Sequence, residues 1–106
     1  MPKYLIQADF TTDGVKGILK DGGSKRKTAV KILMKELGGN LEGFYYSFGE
    51  SDVVAIVDVP DNVTVAALSM AIAASGRLTL KTTPLLDPAE IDQATKKTVK
   101  FSPPGG

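Results

Sequence analysis

Two groups of side chains in this sequence could carry chemistry. The first is Gly22-Gly23-Ser24-Lys25-Arg26-Lys27, a glycine-rich turn that opens a basic helix. Helix N-termini present unpaired amides and attract anions, so Ser24, Lys25 and Arg26 are candidate anion-binding residues for phosphate or a nucleotide. The segment is not a Walker loop, because no strand precedes it and the required spacing of glycines, lysine and hydroxyl is absent. A helix break followed by a solvated basic face is the simpler reading and is favoured. The second group is Gln7, Asp9, Tyr45, Tyr46, Arg77 and Lys81. Gathered on one sheet face, an aromatic, a carboxylate and a cation would suit a small polar or planar ligand. A tyrosine beside lysine or arginine could also polarise a carbonyl, a minimal set for isomerase chemistry without histidine. For any one of these residues, a place in the core or on a subunit rim is the simpler reading. The register is open, so either Tyr45 or Tyr46 could face the ligand side.

Composition removes most other chemistry. The chain has no cysteine, so disulfides, thiolate metal sites and thiol nucleophiles are excluded. It has no histidine, the commonest general base and metal ligand. No metal site and no cofactor are expected. Thirteen basic residues against twelve acidic leave a net charge of +1, too little to steer the chain toward nucleic acid or an anionic membrane. Asn62-Val63-Thr64 matches a glycosylation sequon but, at a helix start, reads as capping.

The elements that must position these residues follow from periodicity. With 106 residues, 42% of them apolar, one globular domain is expected over residues 1–98, with an extended tail over 99–106. Tyr4 to Phe10 alternates as a strand. Thr11-Thr12-Asp13 then offers a cap to a helix bearing Val15, Ile18 and Leu19. Asp21-Gly22-Gly23 breaks that helix. Ser24 is expected to cap a second, with Val30, Leu33, Met34 and Leu37 inward and Lys27, Lys31 and Lys35 outward; Gly38-Gly39 ends it. Strands Leu41–Phe48 and Val53–Val59 form a hairpin, in which Asp52 is expected to bond nearby backbone amides. Pro60-Asp61-Asn62 starts a third helix that runs to about Ser75. Leu78–Leu86 is a fourth strand, and Pro88 opens a short terminal helix. Phe101 is expected to clamp the tail onto its own domain or a neighbour. The order β-α-ββ-α-β, with its first helical connection in two pieces, is ferredoxin-like.

Two segments point to self-association. Val53-Val54-Ala55-Ile56-Val57 is apolar on both faces, so something must cover the side of the sheet away from the helices. The helix from Val63 to Ser75 contains no charged residue, and alanines and Met70 surround its core stripe of Val65, Leu68 and Ile72. A homo-oligomer, dimer or higher, follows as the expected state. The apolar run from Val63 to Ala74 is too short to span a bilayer, and the start of the chain lacks a signal-peptide pattern, so a cytoplasmic location is the default.

The chain resembles the GYD domain family in several separated blocks. These are Pro2-Lys3-Tyr4, Gly22-Gly23-Ser24-Lys25-Arg26, the run Gly43 to Val54, Pro60-Asp61-Asn62, Lys81-Thr82-Thr83 and Pro103-Pro104-Gly105. The resemblance implies a bacterial protein of ferredoxin-like or dimeric α+β barrel type, and it carries over no catalytic residue. Gly49 and Asp52 are present around the hairpin, but Ser51 stands where the family's tyrosine is expected. The reading that results is a homo-oligomer with a small-molecule cleft between sheet and partner, leaning away from catalysis. Its rivals are an enzyme of the dimeric α+β barrel kind using Tyr, Asp and Lys groups, and an assembly unit without ligand.

Overall fold

The computed structural model describes residues 1–47 and 49–105. Strand β1 (Lys3–Phe10) leads into helices α1 (Thr12–Asp21) and α2 (Gly23–Glu36). The hairpin of β2 (Asn40–Tyr46) and β3 (Val53–Asp58) follows, then α3 (Asn62–Ala74), β4 (Leu78–Leu85) and α4 (Pro88–Thr95). Phe48, expected at the end of β2, lies outside the described residues, as does Gly106. The four strands form one antiparallel sheet in the order β2-β3-β1-β4. The chain is therefore α+β and compatible with a ferredoxin-like arrangement whose first helical connection is split.

Alternation along the strands builds the core on one face. Tyr4, Ile6 and Ala8 of β1 and Val53, Ala55 and Val57 of β3 are buried beneath the helices. Met34 of α2 with Val65 and Leu68 of α3 closes over Tyr4, Ile6, Ala55 and Val57. Val30, Leu33, Leu37 and Ile72 pack around them, as the helical spacing predicted. A fully buried valine, leucine or methionine side chain in this layer contributes roughly 1.5–3 kcal/mol on leaving water. Tyr4 is the largest fully buried residue of the sheet, and its hydroxyl donates to Asn62 Oδ1.

The helix boundaries correct three expectations. Ser24 does not cap α2; it lies inside the helix, which begins at Gly23 after the chain turns at Gly22, at φ 81°. Asn62 does not cap α3, because Asp61 takes that role by accepting the Thr64 N–H at 2.8 Å. Val15 and Leu19 of α1 are exposed rather than inward. Small residues turn α1 toward the sheet instead. Gly14 is buried, and a Cβ there would lie 2.1 Å from the Arg77 carbonyl oxygen. Thr11 N–H donates to that same carbonyl at 3.0 Å, so the start of α1 is pinned to the entry of β4.

The C-terminal part stands apart from this layer. Every described residue from Leu86 onward is exposed, including Ile91, Val99 and Phe101. Phe101 is 74% exposed and does not clamp its own domain. The radius of gyration, 17.0 Å, exceeds the roughly 13 Å of a compact chain of this length. Among the described residues, no helix is long and apolar enough to cross a membrane.

Two substitutions in α1 test this packing. Gly14→Ala should lower stability by about 2–3 kcal/mol, because the methyl meets backbone that cannot yield. Gly17→Ala, whose Cβ would find only the Arg77 guanidinium at 3.8 Å, should leave stability unchanged or raise it by up to about 1 kcal/mol. Thermal melts followed by circular dichroism read both. Equal effects would mean that α1 is not seated as described.

Candidate functional site

The face of the sheet turned away from the helices carries most of the expected ligand group. Pairing puts Tyr45 opposite Val54, Val54 opposite Gln7, and Gln7 opposite Lys81, which makes one continuous row across all four strands. The next rows place Gly43, Ile56, Leu5 and Thr83 together on one side, and Asp9 with Thr79 on the other. At the centre, Leu5, Val54 and Ile56 are only half-buried, and among the described residues the helices that pack on the sheet, α1, α2 and α3, do not include one seated over this face. One flank is closed by charge: the Lys3 ammonium donates to Glu42 and, at 3.0 Å, to Asp58. Those two carboxylates hold the Lys3 ammonium well above its ordinary pKa.

The expected group is not gathered whole. Gln7, Asp9 and Lys81 are neighbours on β1 and β4, and Tyr45 lies on the same face. Tyr45 and Lys81, however, stand on the two outer strands, and three strand spacings put them about 14 Å apart. A tyrosine–lysine pair acting on one carbonyl is therefore not assembled within a single chain. Tyr46 and Arg77 belong to the other side of the sheet. Tyr46 packs at 5.4 Å edge-on to Phe44 and at 6.5 Å from Phe10, and its hydroxyl donates to the Gly23 carbonyl at 3.1 Å. Burial pushes its phenol pKa up, against the opposing pull of the Arg26 charge.

That helix side holds a second site. A groove of about 590 Å³ opens between α2 and α3, walled by Leu33, Leu37, Ala67, Ala71 and Ile72 and bordered by Gly14, Gly17 and Ile18 of α1. Lys25 and Arg26 of α2 and Arg77 line it, while Ser24 does not. The two helices run antiparallel over the sheet, so the start of α2 and the end of α3 meet at the cationic end. Alternation along the strands could not disclose this groove, since it depends on how far two helices stand apart. The one signal available was the uncharged, alanine-rich sequence of α3. Ala67 and Ala71 of that sequence line the groove, while Val63 and Met70 are exposed.

The hairpin end is fixed by Asp52. Its carboxylate accepts the Phe10 N–H at 2.9 Å, its N–H donates to Ala8, and its carbonyl accepts from Ser47. Asp52 does bond backbone amides, as expected of a turn residue, but its carboxylate reaches β1 rather than its own turn. With this geometry in place, comparison by sequence is decisive on one point: the profile of the GYD domain matches residues 4–95.

The chain belongs to the GYD domain family.

No curated protein and no solved structure matches it. In this GYD domain the aspartate of the hairpin is a structural stitch between β3 and the central strand. Ser51, beside it in the hairpin, is buried.

The phenol of Tyr46 gives a direct check of the helix-side packing. It should lose its proton later than an ordinary tyrosine when ultraviolet absorbance is followed against pH, and Tyr46→Phe should remove that late step. The unfolded chain ionises first, near pH 10, so it binds fewer protons than the native state above that pH. The stability Tyr46 confers is thus complete below the ordinary phenol value and declines as pH rises through the raised one. Arg26→Gln should move the step still higher.

Proposed function

We propose that this GYD domain works as a homo-oligomer that covers the open face of its sheet with another copy and binds a small polar molecule in the cleft so formed. The half-buried apolar centre of Leu5, Val54 and Ile56 carries the reading. Apolar residues on both faces of an antiparallel sheet call for cover on both faces, and among the described residues helices cover one. Packing of the dimeric α+β barrel kind, sheet face to sheet face, would remove this centre from water. The polar rim then supplies recognition. Gln7 offers an amide, Asp9 a carboxylate and Lys81 a cation within one corner of the face, and Tyr45 borders the opposite edge.

Binding is favoured over catalysis by the same geometry. The phenol and the ammonium that would have to act together lie at opposite edges of one sheet. Catalysis by the pair would require Tyr45 of another copy to reach Lys81, whereas binding needs only the Gln7, Asp9 and Lys81 corner of one chain.

Light scattering at micromolar concentration should give a mass at a multiple of the 11.2 kDa chain. Ile56→Asp should reduce it to that of one chain, since two carboxylates cannot be buried together at such a contact without large cost. A screen of small carboxylates and phosphates by thermal shift should find compounds that raise the melting temperature of the parent protein and fail to do so with Lys81→Ala. A parent protein that is monomeric at micromolar concentration would contradict the proposal.

A further inference from the structure

We propose that the groove between α2 and α3 binds an amphipathic anion: an unbranched apolar chain ending in a carboxylate or a phosphate monoester, with Arg26 and Arg77 holding the head. The groove lies across the sheet from the cleft proposed above and does not depend on it. Its volume, about 590 Å³, falls in the range of small-molecule sites. Along most of its length Leu33 and Leu37, at α2 and its end, face Ala67, Leu68, Ala71 and Ile72 of α3, and these walls suit a hydrocarbon chain better than a polar body. A separate, smaller space of about 70 Å³ lies beside it toward Ile6, Phe44 and Val57, and the two share Leu33, Leu68 and Ile72 as lining.

The charge lies at one end only. Asp21, the one acidic residue lining the groove among the described residues, is engaged with Lys25 at 3.7 Å. Among the described residues, neither Arg26 nor Arg77 has an ion-pair partner. Two guanidinium groups beside an apolar slot are matched by a planar carboxylate or a phosphate, which they bind through paired N–H donors. The backbone of Arg77 is anchored by the N–H of Thr11, which its carbonyl accepts at 3.0 Å, and its guanidinium lies beside Gly17 of α1 at the same end of the groove. A neutral chain would leave the two cations at the mouth unanswered, and a short anion would leave the walls exposed. The groove calls for both properties in one molecule.

Calorimetric titration of the full chain with dodecanoate, dodecyl phosphate and dodecanol, each below its micelle concentration, tests this. The two anions should bind one per chain with micromolar dissociation constants, and dodecanol about tenfold or more weakly. Arg26→Gln with Arg77→Gln should weaken both anions by at least about tenfold and leave dodecanol unchanged. Ala71→Trp, which fills the groove from an exposed position, should abolish all three, and circular dichroism shows that each variant is folded. Lys81→Ala should change none of them. The tighter of the two anions identifies the head as carboxylate or phosphate. Absence of binding up to millimolar anion, equal affinity for dodecanol, or affinity that survives Ala71→Trp would overturn the assignment. So would crosslinking from a photoreactive residue at position 101 to α2 or α3, which would show that the C-terminal arm occupies the groove.

Discussion

The structure depends on β1 being hydrogen-bonded along both edges while helices cover only one of its faces. A central strand in an antiparallel sheet must send alternate side chains to opposite sides, and the register of its two neighbours then assigns every other residue of the sheet. Tyr4, Ile6 and Ala8 go under the helices, and Leu5, Gln7 and Asp9 do not. A slip of one residue would bury a carboxylate and expose the core. Asp52 and Arg77 resist such a slip at one end of β1, by accepting the N–H groups of Phe10 and Thr11 through a side chain and a carbonyl respectively. The Lys3 ion pairs with Glu42 and Asp58 hold the other end.

This division of side chains separates two kinds of surface with different chemistry. The open face joins an apolar centre of Leu5, Val54 and Ile56 to a polar corner of Gln7, Asp9 and Lys81. The helix side has a core that is closed between sheet and helices but left open between α2 and α3. Lys25 and Arg26, at the start of α2 after the glycine-rich turn, line that groove, while Ser24 does not.

Much of the fold was legible in the sequence because its signals are local. The alternation of Tyr4 to Phe10, the spacing of Val30, Leu33, Met34 and Leu37, and the glycines at helix ends all act within one element. Capping was harder to read, since Ser24, Asp61 and Asn62 are each chemically able to cap and only the path of the chain decides among them. Asp61 won at α3 because Asn62 was already committed to the hydroxyl of Tyr4. For the site, Gln7, Asp9, Lys81 and Tyr45 were placed on one face, but Tyr46 and Arg77 were not. Adjacent tyrosines in a strand must point to opposite sides, and which one faces the helices is set by pairing with β3. The groove was hidden for a related reason: the distance between two helices is a property of the whole layer, and an alanine that faces a gap looks the same in sequence as one that faces a partner.

The central claim is that the open face of the sheet meets another copy of itself. Nuclear magnetic resonance on a sample mixed from isotopically labelled and unlabelled chains tests it directly, by selecting magnetisation transfer between copies. The account predicts transfer between the methyl groups of Ile56 and Val54 in one copy and those of Leu5, Val54 or Ile56 in another. Transfer confined to α3, or none at all from the methyl groups of this face, would contradict it.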